Sequence, residues 1–178
     1  IFIKMSVNIG IIGSRDLSGK ISFKDQVEMV KKEVLKLSPN GDCVLISGGS
    51  SWSDFIAVVL KNELPNSSLI LYLPSDFSDG KFIKTNNDQG AYSTLNKLHE
   101  TFRLQTGINS LELMESVRKT NNVQYVTHAG FLNRNNFIAK NCDHLIALSH
   151  GEKQPDSQGT LFTWNKASTK NRIHIHID

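Results

Sequence analysis

Apolar residues in this chain fall into short blocks, each closed by glycine, proline or a run of small polar residues. Val7-Asn8-Ile9-Gly10-Ile11-Ile12 stops at Gly13-Ser14-Arg15-Asp16, which predicts a strand entering a polar turn. From Phe23 the apolar positions Phe23, Val27, Val30, Val34 and Leu37 recur at intervals of four, three, four and three, one stripe of a helix ended by Ser38-Pro39-Asn40-Gly41. Cys43-Val44-Leu45-Ile46 makes a second strand, broken at once by Ser47-Gly48-Gly49-Ser50-Ser51. The helix that follows carries Phe55 through Leu60 without a polar break, so it must be buried over more than one stripe. Leu69-Ile70-Leu71-Tyr72-Leu73, closed by Pro74, is a third strand whose unbroken apolar character suits the interior of a parallel sheet covered on both faces.

Ser75 to Gly90 is polar and rich in aspartate and glycine, and reads as a loop or lid of unusual length. Ile108, Leu111, Met114 or Glu115, and Val117 predict a helix starting near Asn109 or Ser110, with Glu112 in its first turn. Val123-Gln124-Tyr125-Val126 is a fourth strand, Phe131 to Cys142 a helix, and Leu145-Ile146-Ala147-Leu148 a fifth strand. After the polar stretch Ser149 to Gly159 come a short helix, Thr160 to Thr169, and a strand of strict period two, Ile173 to Ile177. The alternation predicts a three-layer α/β sandwich on a mainly parallel central sheet.

Length adds that one domain is expected, since 178 residues bury about 70% of their unfolded surface without help from a disulfide or a metal. The apolar runs fall far short of the roughly 20 residues that span a bilayer, so no membrane partner is expected. Twenty basic against seventeen acidic residues leave +3, a mild bias that permits nucleic acid without implying it. Cys43 and Cys142 each adjoin an apolar run, as buried free thiols do, and with them an intracellular, cytoplasmic setting is expected. Ile1 to Met5 lacks the hydrophobic stretch and cleavage site of a signal peptide, and Met5 reads as a natural start preceded by an extension.

Ligands of such folds sit at the carboxyl ends of the strands, where this chain places three glycine-bearing turns, Gly13-Ser14-Arg15, Gly48-Gly49-Ser50 and Gly159-Thr160. Free N–H groups and positive dipole ends of the following helices, converging on one rim, would hold a phosphate or another anion. Gly10-x-x-Gly13 is not the dinucleotide fingerprint, and no Gly-Lys-Ser/Thr follows the glycine-rich turns, so hydride transfer and ATP hydrolysis fall away and no cofactor is expected. His174 and His176 share one face of the last strand, but with the other histidines scattered and no Cys-x-x-Cys, no metal is expected either.

Ile11-Ile12-Gly13-Ser14-Arg15-Asp16, Ser47-Gly48-Gly49-Ser50-Ser51-Trp52-Ser53-Asp54, and Arg134-Asn135 followed by Gln158-Gly159-Thr160 resemble, in order and context, the SLOG superfamily, nearest to its YspA-type members. The resemblance runs from Val7 to about Ile175, except for an expanded loop/helical insertion around residues 75–122 that cannot be aligned residue by residue. It implies a single Rossmann-like domain over 1–178 that binds nucleotides or nucleotide-derived ligands, and a homo-oligomer. Members include nucleoside monophosphate N-glycosidases, defence-system ligand sensors and the single-strand DNA-binding protein DprA. The glycosidases carry Gly-Gly-x-Gly-Thr-x-x-Glu, whereas here Thr163 stands in the place of the glutamate. A glycosidase needs a carboxylate near an oxocarbenium-like centre, so Asp54, Asp16 or Glu112 would have to supply it.

The candidate catalytic residues are therefore Asp54 and Arg134. Asp54 equally suits a helix-capping role, and Arg134 suits contact with ligand or with another subunit, while Phe131, Phe137 and Ile138 pack inward. Candidate ligand-binding residues are Gly13, Ser14, Arg15, Gly48, Gly49, Ser50, Asn135, Gly159 and Thr160. Arg15 can grip two phosphate oxygens, its alternative being a loop arginine paired with Asp16. Ser14, Ser50 and Thr160 can donate through side chain or backbone, and Trp52 stacks a base or, preferentially, fills core. Two classes stay open for the phosphorylated, nucleotide-like ligand: binding with N-glycosidic hydrolysis, or sensing without catalysis. Single-stranded DNA comes third, since no basic cluster is interleaved with aromatics.

Overall fold

The computed structural model describes residues 6–178, so the reading of Ile1 to Met5 lies outside the described residues. In chain order the elements are β1 (Val7–Gly13), α1 (Phe23–Leu37), β2 (Cys43–Ser47), α2 (Ser53–Glu63), β3 (Ser68–Leu73), β4 (Asp76–Ser78), β5 (Lys81–Ile83), α3 (Ala91–Thr106), α4 (Ser110–Arg118), β6 (Val123–Thr127), α5 (Phe131–Asn141), β7 (His144–Ser149), α6 (Gln158–Lys166) and β8 (Arg172–His176). Six strands form one parallel sheet in the order β6-β3-β2-β1-β7-β8, giving a three-layer, Rossmann-like α/β sandwich. From β1 the chain steps outward through β2, β3 and β6, then returns to the other side of β1 for β7 and β8. The order thus reverses between β1 and β7, the place where open α/β sheets leave a crevice at their carboxyl ends.

Alternation along the strands builds two cores of unequal size. Ile9, Ile11, Leu45, Leu69, Leu71 and Leu73 face the larger one, closed by α1 and α2 and by Leu95, Phe102 and Met114 of α3 and α4. Ile12, Ile46, Leu145 and Ala147 face the smaller one under α5, where Ile138 is wholly buried. The third strand does lie inside the sheet, but its covering is one-sided: Ile70 and Tyr72 remain half-buried on the α5 face.

Residues 75–90 are not the long loop expected from their polarity. They form the β4–β5 hairpin, turned by Asp79 and Gly80 at φ +52° and +72°, and a tight loop around Asp88. An Asp-Gly pair with positive φ at both positions suits the twist of a two-residue hairpin, and Phe77 packs on Phe82 across it with ring centroids 5.1 Å apart. Asp88, 3% exposed, accepts from the Thr85 and Gly90 N–H groups and from the Ser75 hydroxyl at 2.9–3.0 Å. Burial pushes its carboxyl up, but these bonds and the charge of Lys84 outweigh that and hold it below its ordinary value. The sixteen-residue α3 occupies the next part of the insertion, its buried Ala91, Leu95, His99 and Phe102 marking one stripe. Its polar outer face hid that stripe from a reading of the hydrophobic pattern.

Candidate cleft at the strand ends

A cleft of about 880 Å³ opens where the strand order reverses, and five segments line it: residues 12–16 at the end of β1, Ser50 and Asp54 after β2, Gln89 after β5, residues 129–135 after β6, and residues 157–160 at the start of α6. Each enters for a local reason. The Ser14 N–H donates to the Leu148 carbonyl of β7 at 3.1 Å, which carries the first turn along the β1–β7 seam. Gly13 must lack a side chain there, because a Cβ would overlap the Leu148 carbonyl and the Ser53 hydroxyl. Ser51 and Ser53 then hold the same turn from the other side, donating to the Arg15 and Ser14 carbonyls at 3.2 and 3.5 Å. These two serines were not picked out from sequence, although their place in a serine-rich turn next to Gly13-Ser14-Arg15 was visible.

Gly48 and Gly49 do not line the cleft. A Cβ on Gly48 would fall onto the Arg134 guanidinium and lie 2.6 Å from Asp54 Oδ2, so this glycine is the floor on which that pair rests. Gly49 bends the chain at φ +72° and faces Leu73, Met114 and Phe82 instead. The cleft therefore draws on two of the four expected glycines, Gly13 and Gly159, with Ser50 representing the second turn.

Asp54 and Arg134 form a buried ion pair, Nη1 to Oδ2 2.9 Å, with both residues about 95% covered. The same Oδ2 accepts the Ser50 N–H at 3.1 Å, so this carboxylate ties α5 to the second turn. Arg134, expected at the rim, lines the cleft but turns its guanidinium onto Asp54, and half-buried Phe131, expected to pack inward, also lines the cleft with the Arg15 guanidinium 4.3 Å above its ring. The physical reason is that Asp54 gives a buried arginine a partner, while Phe131, first residue of α5, packs one side on the larger core and leaves the other to the cleft. An apolar residue opening a helix reads as packing, so the sequence carried no signal for its role here.

Arg15 is exposed and, among the described residues, no carboxylate lies within ion-pair reach of it. Partial burial pulls its guanidinium below the ordinary value, the like charge of Arg134 adds to that, and Asp54 draws it back. Asp16 is bent away from it, accepting from the Ser18 N–H at 2.9 Å and from the Ser18 hydroxyl. Glu112 lines a different groove, with Asp79 and Glu115, and does not reach the cleft.

The helices that begin at the cleft lack side-chain caps, whereas α1 and α4 are capped by Ser22 and Asn109. For α5 the capping position is Gly130, at φ +89°, and for α6 it is Ser157, whose hydroxyl donates instead to Thr160 Oγ1 at 2.7 Å. The first-turn N–H groups of both helices keep their hydrogen-bonding capacity, and their dipoles favour negative charge. Gly159 and Thr160 lie within the first turn of α6, which starts two residues earlier than expected. Asn135 joins the two helices through the Gly159 carbonyl at 3.4 Å, and Thr163, 1% exposed, donates to that carbonyl at 3.0 Å.

Two polar atoms behind this wall, Ser50 Oγ and Arg134 Nε, are sealed from solvent and have no hydrogen-bond partner among the described residues. Trp52 is core, 5% exposed and edge-on to Phe102 with centroids 5.2 Å apart. His174 and His176 are engaged by Ser149 Oγ at 2.8 Å and the Gly151 carbonyl at 2.9 Å, and no group of three or more potential ligands for a metal ion occurs among the described residues. Cys43 and Cys142 are buried free thiols, each pushed up to about 11 by burial. No described helix is long and apolar enough to cross a membrane.

The uncharacterized protein R261 of Acanthamoeba polyphaga mimivirus is 41% identical to this chain over 153 residues, which cover 86% of the chain and 81% of the relative. No family model and no solved structure matches the chain.

Proposed function

We propose, for a chain that belongs to the same family as the mimivirus protein R261, a binding function: the cleft holds a phosphorylated, nucleotide-like small molecule. The observation that carries this reading is the meeting, at one cleft, of the uncapped starts of α5 and α6 with the Arg15 guanidinium. The uncapped starts of α5 and α6 and the unpaired Arg15 favour an anionic oxygen, and a phosphate supplies several. Phe131 and Leu132 add an apolar wall beside it, suited to the rest of a nucleotide. The likeness of the first two turns to those of the SLOG superfamily supports the same ligand class.

One observation favours hydrolysis of an N-glycosidic bond as a second reading. Asp54 lines the cleft, and both of its protein bonds fall on Oδ2, leaving Oδ1 for a water or a developing positive charge.

Titration calorimetry with inorganic phosphate and a panel of nucleoside monophosphates tests the binding reading. Arg15→Ala is expected to bind about 10–100-fold more weakly at unchanged melting temperature, the worth of a charge-assisted bond. Equal affinity, or no binding of any probe by the wild type, overturns the reading. Chromatography for released base decides the second: base released by the wild type and not by Asp54→Asn supports hydrolysis, and no release rejects it.

A further inference from the structure

We propose that His99 is a positioning residue for the cleft: from inside the 75–122 insertion it locks the Gly49–Ser50 peptide, and with it Ser50 and Asp54, in the geometry that receives the ligand. The inference rests on the binding function proposed above.

His99 lies on α3 and is 1% exposed, its ring stacked on Phe82 of the hairpin at 23° with centroids 5.7 Å apart. Nε2 stands 3.0 Å from the Gly49 carbonyl and Nδ1 2.8 Å from Ser110 Oγ. A carbonyl only accepts, so Nε2 carries the proton and Nδ1 accepts from the Ser110 hydroxyl. Both partners are thus satisfied by a single neutral tautomer. Burial, the largest influence, brings the imidazole down to about 4, so it stays neutral at ordinary pH.

The geometry matters because the Gly49 carbonyl and the Ser50 N–H are opposite ends of one planar peptide group. His99 holds the carbonyl end and Asp54 Oδ2 holds the N–H end at 3.1 Å. Glycine populates left- and right-handed backbone about equally, so a peptide flanked by Gly49 at φ +72° is free to flip unless something restrains it. A flip would turn the Ser50 N–H away from Asp54 Oδ2 and leave that carboxylate, and the Arg134 it holds, with one fewer restraint. The chain of contacts Ser110–His99–Gly49/Ser50–Asp54–Arg134 therefore runs from the insertion to the cleft wall.

The test combines titration of adenosine monophosphate and inorganic phosphate with amide hydrogen exchange at Ser50, on wild type, His99→Leu, His99→Gln and Ser110→Ala. His99→Leu removes the donor and is expected to weaken binding about tenfold or more and to speed Ser50 exchange about tenfold, the order of one lost hydrogen bond. His99→Gln, whose amide can reach the same carbonyl, is expected to restore both to within about threefold, which a merely structural role would not require. A folded His99→Leu that binds and exchanges as the wild type does overturns the proposal. Should that variant not fold, Ser110→Ala decides: faster Ser50 exchange and weaker binding support the proposal, and no change in either overturns it. If the wild type binds neither probe, the binding reading fails by itself, and His99 is judged on Ser50 exchange alone, where unchanged protection in the variants overturns it.

Discussion

Replacing Gly48 by alanine adds one methyl group where the protein has no room for it. The φ of Gly48 lies outside the left-handed region, so the backbone accepts alanine and the whole effect is steric. The new Cβ would overlap the Arg134 guanidinium and sit 2.6 Å from Asp54 Oδ2. Arg134 must therefore leave its place, and it is hemmed in: 5% exposed, with Phe131 on one side and Gly48 on the other. Separating a buried pair leaves each charge without compensation and costs about 3–5 kcal/mol. Overpacking with the pair intact would cost only about 1–3 kcal/mol. Gly159→Ala is the control. Its Cβ would meet nothing nearer than Asn135 Nδ2 at 3.8 Å, and alanine in a helix is worth up to about 1 kcal/mol over glycine. Equilibrium urea unfolding, followed by the fluorescence of buried Trp52 and half-buried Trp164, reads both variants. A loss below about 1 kcal/mol in Gly48→Ala would show that the guanidinium does not rest on this glycine. In an Arg134→Leu background most of the cost should vanish, as contacting residues do not add independently.

Asp54→Ala and Arg134→Leu should each cost about 3–5 kcal/mol, and the double variant clearly less than their sum, because each single change strands one buried charge; additive losses in a urea double-mutant cycle would refute the coupling. His99 gives a pH dependence whose sign is fixed. Its pKa falls from 6.5 to about 4 on folding, so between those values the unfolded chain binds the extra proton and stability declines as pH drops. At about 1.4 kcal/mol per unit the loss reaches about 3 kcal/mol at pH 4 and is complete only below it, and it should be absent from the His99→Gln curve measured by urea unfolding across pH 4–7. Identical pH slopes for the two proteins would place the titration elsewhere.

Strands and helices with an uninterrupted apolar signature were legible one by one. The stripe of α1, the apolar blocks that became β1, β2, β3, β6 and β7, and the period-two tail of β8 each carry their period in neighbouring residues. The insertion was less so. The two aromatic residues of the β4–β5 hairpin are too few to show a period, and α3 keeps its buried stripe under a polar majority. Even there Asp79-Gly80 was a readable turn signal.

By itself, the sequence determined that strand and helix alternate, that glycine and small polar residues follow β1 and β2 and open α6, and that Arg15 and Ser50 stand in such turns. Those are properties of adjacent residues, and local sterics and burial periodicity suffice to set them. Only the tertiary structure decided that Gly48 supports an ion pair and stays outside the cleft, that Arg134 points inward while Phe131 lies under Arg15, and that His99 reaches the Gly49 carbonyl fifty residues away. Each of these depends on which side chain first finds a partner in a low-dielectric interior, and partners that meet across the sheet leave no mark on the order of residues along the chain.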